Sequence, residues 1–155
     1  MSQRSSTVMV RGFLRGQLVD AKTKKVVGDT GWVKNKFCNY GLTALGCLAA
    51  GVAGSVKPSY AVLATQSTAM DITQTALLGT SNSFMVFGAS GTAGTMSASY
   101  SCSFAGANGA ISVGAAALHT GNAVGGMWAG QTFTSSAMAT NQNFNLTYTL
   151  VFASA

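Results

Sequence analysis

The sequence predicts a mainly β protein, an antiparallel β-sandwich with one short α-helix, and three observations carry that expectation. First, Met96, Ala98, Tyr100, Cys102 and Phe104 alternate with Ser97, Ser99, Ser101 and Ser103, and Phe144, Leu146, Tyr148, Leu150 and Phe152 alternate with Asn143, Asn145, Thr147, Thr149 and Val151. Period two gives a strand one apolar and one polar face, and a sheet with one wet face is the habit of antiparallel pairing. Second, the other apolar runs are short and bounded by Gly, Asn or Ser, as in a sandwich or barrel. Third, only one stretch has clear helical spacing of apolar residues, beginning at Asn39.

Taken in order, Thr7 to Val19 reads as a strand with one solvated face, and Val26-Val27 as its hairpin partner across the polar tip Asp20-Ala-Lys-Thr-Lys-Lys25. Trp32 to Phe37 reads as the next strand. Asn39 is placed as the N-cap of a helix of about three turns that carries Leu42, Leu45 and Leu48, stops at Gly51 and plugs one end of the sandwich. Tyr60 to Leu63 is a strand, Thr65 to Thr75 a polar loop, Ala76 to Leu78 a turn of helix, and Ser83 to Phe87 a strand. Ala110 to Val113, Ala115 to Leu118 and Val124 to Trp128 are three further short strands. With no internal repeat and no linker, residues 1–155 form one domain, with a basic hairpin region over about 1–37 and a nearly uncharged β-rich remainder.

The distribution of charge says more than its sum of +6. Charged residues make up 8% of the chain, and Glu is absent; about a quarter is usual in soluble domains. All nine basic residues, Arg4, Arg11, Arg15, Lys22, Lys24, Lys25, Lys34, Lys36 and Lys57, fall in the first 57 positions, and beyond them the one formal charge is Asp71. A free monomer stays soluble through interspersed charge, whereas contact surfaces are depleted in Lys, Glu and Asp. The remainder therefore reads as core plus contact surface. The N-terminus leads into a strand rather than an apolar signal segment, and Leu42 to Val56 is too short and too rich in glycine to span a bilayer, so the expectation is a chain made in the cytoplasm with no membrane address.

Catalytic and ligand-binding constellations are sparse. With one His and no Glu, a carboxylate pair for glycoside hydrolysis would need Asp20, Asp29 and Asp71, two of which flank the basic hairpin tip. A Cys–His dyad or a zinc site would need His119 with Cys38, Cys47 and Cys102, and their spacing supports neither. No glycine cluster precedes a helix with the Lys-Ser/Thr of a phosphate loop. The expectation is a protein that is not an enzyme, with no cofactor and no metal. The bases lack interleaved aromatic residues, which argues against nucleic acid and favours docking of Arg4, Arg11, Arg15, Lys22, Lys24 and Lys25 on an acidic partner surface. Three Cys is an odd count, so one at least is free or pairs with another molecule. Cys102 falls on the apolar face of its strand and reads as core, while Cys38 and Cys47 flank the helix and are candidates for a disulfide between subunits. Tyr60, Trp128 and Trp32 are candidate interface anchors, with Trp32 assigned more readily to the core.

Asn39-Tyr-Gly-Leu42-Thr-Ala-Leu45, then Pro58-Ser-Tyr60-Ala-Val62, a Thr-rich loop, Asp71-Ile-Thr-Gln-Thr75-Ala-Leu77 and the aromatic-alternating strand Phe144 to Phe152 resemble, in that order, a group of small tailed-bacteriophage virion proteins. The chain departs from that pattern at Leu63-Ala-Thr-Gln66, where the family commonly has Gly-Thr-Gly, and in lacking a charged strand after Leu77. The resemblance implies a jelly-roll-like β-sandwich in a virion, either a capsid decoration (cement) protein bound to the major capsid protein or a tail or fibre component contacting the host. It implies many copies, with a homotrimer or another homo-oligomer suiting a capsid's local symmetry, and the Gly-rich loops 88–95 and 121–130 conforming to neighbours. A secreted carbohydrate-binding module is the remaining alternative, disfavoured by the missing signal segment and the shortage of acids.

Overall fold

The computed structural model of the chain describes residues 8–54, 56–86, 88–90, 97–108, 111–121 and 126–154. They form an antiparallel β-sandwich with one α-helix among the described residues. The strands, in chain order, are β1 (Val8–Asp20), β2 (Val26–Asp29), β3 (Val33–Lys34), β4 (Lys36–Phe37), β5 (Tyr60–Ala64), β6 (Ser81–Val86), β7 (Gly88–Ser90), β8 (Ser97–Ala105), β9 (Ile111–His119), β10 (Met127–Met138) and β11 (Gln142–Ser154), and helix α1 (Asn39–Ala49) falls between β4 and β5. The first sheet runs β2-β1-β11-β8-β7, with β3 also pairing β1; the second runs β4-β10-β9-β5-β6.

The first and last strands pair along their whole length, from Val8↔Ser154 to Asp20↔Gln142. β11 in turn pairs β8 from Asn143↔Ala105 to Val151↔Ser97. The period-two patterns therefore meet in register. Leu14 and Leu18 of β1, Phe144, Leu146, Tyr148 and Leu150 of β11 and Phe104 of β8 share the inner face, all buried in one core with Leu63, Val113, Leu118 and Trp128 from the second sheet. Opposite faces carry Arg11, Arg15, Asn145, Ser101 and Ser103, as alternation requires. Met96, at the start of the expected β8 pattern, lies outside the described residues.

Both open edges of the sandwich are bridged by chain that steps from one sheet to the other. The single strand expected over Trp32 to Phe37 is instead two short pieces, β3 on β1 in the first sheet and β4 on β10 in the second, with Asn35 buried at the corner. Gly12 makes that corner possible, since a Cβ there would lie 2.1 Å from Asn35 Oδ1. At the far edge β6 pairs β5 and β7 pairs β8, across a single intervening residue. Each crossing covers only part of an edge: β4 pairs Ala129 and Gly130 of β10, and β2 and β3 pair β1 only from Phe13 onward.

The second sheet departs from alternation for a physical reason. From Val113 to His119 every residue of β9 is buried, because the loop 65–80 covers its outer face. Gln66 is the organising residue. Buried itself, it accepts from Leu78 N–H (2.8 Å) and Gln74 Nε2 (3.2 Å) and donates to Thr68 O (3.0 Å). Beneath the loop, Met70, Cys38, Ala117 and Met127 form a second small core with Leu77 packed against it. The expected turn of helix at Ala76 to Leu78 is absent, since those residues serve as loop cover. β9 is one strand rather than two, its Gly114 lying close under Gln66 O; Ala110 lies outside the described residues. β10 runs on from the expected end at Trp128 to Met138, with an irregularity in pairing between Thr132 and Ser136. The expected Gly-rich loops are partly strand, since 88–90 belongs to β7 and 127–130 to β10. Residues 91–95, and 122–125 with Val124 among them, lie outside the described residues.

Helix α1 begins at Asn39 itself, and Cys38 occupies the N-cap position with no side-chain cap bond. It docks on β10 through Gly41, where an added Cβ would lie 2.2 Å from Trp128 O. Gly41→Ala is therefore expected to lower stability by roughly 1–3 kcal/mol, the usual cost of forcing atoms into a packed site; urea unfolding of the variant checks this, and an unchanged midpoint contradicts the docking geometry.

Candidate contact surfaces

The basic residues are set by the β1–β2 hairpin. Arg11 and Arg15 project from the outer face of β1, and Lys22, Lys24 and Lys25 are exposed at the tip. Asp20 shapes the tip by accepting from Thr23 N–H (2.7 Å), the Thr23 hydroxyl (2.8 Å) and Lys22 N–H (3.1 Å), and these Thr23 bonds hold its carboxyl below the ordinary range. Lys24 takes a left-handed backbone (φ 62°) there, and its ammonium donates to Ala21 O at 2.7 Å. Arg15 is spoken for within the chain. Its Nε donates to both carboxylate oxygens of Asp29 (3.0 and 3.1 Å), which also accepts from Gln17 Nε2 (3.0 Å) and Gly31 N–H (2.8 Å). The Arg15 guanidinium, chiefly, holds the Asp29 carboxyl well below the usual carboxylate range. Arg4 lies outside the described residues. Of the proposed docking set, Arg11 and the three tip lysines are thus the bases presented to a partner.

The aromatic anchors and cysteines need correction. Trp128 is 2% exposed, its side chain filling the centre of the core, so it is no surface anchor. Trp32, expected inside, is 54% exposed, because it precedes the corner at Asn35 and lies outside both sheets. Tyr60 is half-buried on β5 opposite His119. Cys38 is fully buried under the loop 65–80, and burial pushes its thiol up to about 11. It is therefore withdrawn from any disulfide between subunits in this fold. Cys102 packs against the core, its thiol pushed up by burial to about 12. Cys47 lies on the outer part of α1, half-exposed; Cys102 has the same intermediate exposure as a residue, but it packs against the core.

A second surface goes beyond what the sequence announces. Between Lys36 and Lys57 no residue is charged, and this span folds as α1 and the segment after it. Leu42, Leu48, Val52 and Val56 are all exposed, with Ile72 beside the helix start, where its carbonyl accepts from Asn39 N–H at 2.8 Å. Helical spacing predicts a buried stripe; in fact α1 buries only Gly41 and Ala44. A groove of about 230 Å³ runs between the helix and Val52, Ala53, Gly54 and Val56, with Tyr40, Thr43 and Cys47 lining the helix side. On the crest lies Gly46, where an added Cβ would meet nothing within 4 Å, although glycine inside a helix costs about 1 kcal/mol relative to alanine.

A cleft of about 510 Å³ opens between the sheets beside β2, floored by Leu18, Val33 and the stacked rings of Phe133 and Phe144 (centroids 6.0 Å apart) and rimmed by Thr30 and Ser136. Its lining combines these apolar side chains with hydroxyl groups and with Asp29, whose carboxylate Arg15 already pairs. Among the described residues no three His, Cys or Asp side chains converge as a metal site. His119 is buried at the end of β9. Comparison with protein-family models, with curated proteins and with solved structures gives no match to the chain.

Two outcomes follow from this geometry. Brief treatment of the native chain with a small alkylating reagent should modify Cys47 and spare Cys38 and Cys102; equal labelling of all three by mass spectrometry contradicts the burial. Asp29, with its lowered folded-state pKa, contributes stability that is present above the unfolded carboxylate value of about 3.9 and lost as pH falls through the folded value. The small stability deficit of Asp29→Asn seen near neutral pH should therefore shrink as unfolding is measured below about pH 4, whereas a pH-independent deficit would contradict the Arg15–Asp29 account.

Proposed function

We propose that the chain is a structural subunit of a bacteriophage particle, a capsid decoration (cement) protein that binds the assembled shell. The observation that carries this reading is the separation of charge on a two-sheet β framework. One sheet presents Arg11 and the tip lysines, while α1 on the other presents large apolar side chains with no charge among them. Such a molecule has two kinds of contact surface, one suited to an acidic partner and one to an apolar neighbour. The elements also fall in the order that the resemblance to small tailed-phage virion proteins implies. Asn39-Tyr-Gly-Leu42 opens the helix, Tyr60-Ala-Val62 lies in β5, Asp71 to Leu77 belongs to the covering loop and Phe144 to Phe152 lies in β11. The proposed mechanism is mechanical. A protein that binds only the assembled shell shifts the equilibrium toward that state by mass action. The major capsid protein would be its partner and the virion its location.

Quantitative densitometry of purified particles tests this. A decoration role requires on the order of hundreds of copies per particle, set by shell symmetry. Copies in the tens would assign the chain to a tail or fibre, and absence from the particle would sink the virion reading altogether.

A further inference from the structure

We propose that the open edge of β1, from Val8 to Arg11, is a strand-addition site that takes an extended acidic segment of a partner protein. The inference deepens the docking part of the proposed function and rests on it, since it names how an acidic partner is held.

β11 covers one side of β1 along its whole length. Cover on the other side is partial. β2 pairs Gln17 to Val19, β3 pairs Phe13 and Leu14, and Asn35 N–H donates to Gly12 O at 3.0 Å. Among the described residues no strand pairs β1 on that side from Val8 to Arg11. The covered part shows which backbone groups face this side. Asp20 N–H donates to Lys25 O, Gly16 O accepts from Thr30 N–H and Gly12 O from Asn35 N–H, so the even-numbered residues do. Pairing with β11 runs to Val8 without a shift in register, so the alternation continues to Val10. Its N–H and C=O point out of the sheet, a donor and an acceptor for one more strand.

The surroundings of this edge select the occupant. Beside it lies a groove of about 510 Å³, lined by Val10, Phe37 and Leu42 with Lys34, Lys36 and Gln131 among its polar members. An added strand alternates its side chains between two faces. Those on the face of Val10 would enter the groove and meet its apolar side chains, and those on the face of Arg11 would meet bases. Arg11 lies two residues from Phe13, which pairs Lys34, so the two cations are diagonal neighbours on one face. Neither is engaged within the chain. Asp29 is taken by Arg15, Asp20 by the hairpin tip and Asp71 by Thr73, while the Lys36 ammonium donates to Met70 O at 2.6 Å. Arg11 and Lys34 have no hydrogen bond or ion pair among the described residues. The same charges turn away a second copy. Two β1 edges paired around Val10 would set Arg11 diagonally against Arg11 in chains that each carry +6. A segment that alternates apolar and acidic residues satisfies the backbone groups, the groove and the two cations together, which is the pattern of recognition by strand addition.

The test is titration of the purified full chain, free of particles, with a capped hexapeptide of alternating Glu and Val, followed by amide NMR. Saturable shifts should centre on Met9 to Arg11, and the Val10 amide should exchange more slowly with peptide bound. The same peptide with Lys in place of Glu should not bind. Arg11→Glu combined with Lys34→Glu should raise the dissociation constant at least about tenfold. Val10→Pro removes the outward N–H and keeps the ladder to β11, a change that edge strands tolerate; it should abolish binding with an unchanged circular dichroism spectrum. The double charge variant keeps the proposal falsifiable if the proline variant fails to fold. Lys57→Glu, a change to an exposed base that lines neither the edge nor the groove, should leave binding as it was. No binding of the Glu-Val peptide up to millimolar concentration overturns the proposal, and so does binding that the charge and proline variants leave unchanged. Tighter binding of a thymidine oligonucleotide at the same residues would assign the bases to nucleic acid, and self-association of the chain that Val10→Pro abolishes would assign the edge to a second copy; either overturns it. Each of these failures leaves the copy number in the particle, and so the virion reading, standing or falling on its own measurement.

Discussion

Full-length pairing of the first strand with the last is the constraint on which the rest depends. β1 and β11 lie side by side at the middle of their sheet, so the first and last strands meet inside it and not at its rim. Their inner faces supply Leu14, Leu18, Phe144, Leu146, Tyr148 and Leu150, the larger part of one wall of the core. Everything between them is held in a loop whose ends are fastened. The outer side of β1 then receives β2 and β3, and the outer side of β11 receives β8. Such pairing is non-local, which makes it slow to form, and cooperative once formed.

The second sheet depends on the first through two corners. At one, Asn35 turns the chain from β3 to β4, and at the other β6 passes to β7. The corners tie the two sheets together at their edges, and the side-chain surfaces of the sandwich remain for contact with other molecules. Those surfaces differ sharply. The hairpin side of the first sheet is basic, while the outer face of α1 on the second is apolar and carries no charged side chain of its own. In the proposed role of a particle component touching unlike neighbours, this division would help, since each face rejects the partner suited to the other.

The strands of the first sheet are legible from residues alone, because period-two alternation has one structural meaning when one face is wet. Tyr100, Cys102 and Phe104 point as their pattern says. The second sheet is less legible. β9 is buried on both faces, so its Ala-rich run has no alternation to detect, and Gly114, which reads as a break, is a close approach under Gln66. Nothing in Thr65 to Thr80 announces a covering loop, because its organisation comes from one buried glutamine and not from a periodic pattern. The helix is legible in its place, but of its expected apolar stripe only Leu45 packs on the core, while Leu42 and Leu48 are exposed. Apolar spacing marks a stripe, and only tertiary context decides whether the stripe faces in. Trp32 and Trp128 change places for a related reason. A bulky aromatic residue next to an unseen corner is exposed, and one beginning an unexpectedly long strand is core.

A mechanical role asks two things of such a chain: a framework that does not open, and a surface helix that the framework itself supports only weakly. Native-state hydrogen exchange of the isolated chain tests the first of these, and with it the central claim. The β1 and β11 amides that bond to each other should be the slowest in the molecule and should exchange only with global unfolding, while α1 amides, diluted free of any partner, should exchange earlier through local opening. Early exchange of β1 and β11 while β9 and β10 remain protected would contradict the account, since the end strands would then be an attachment to the fold and not its clasp.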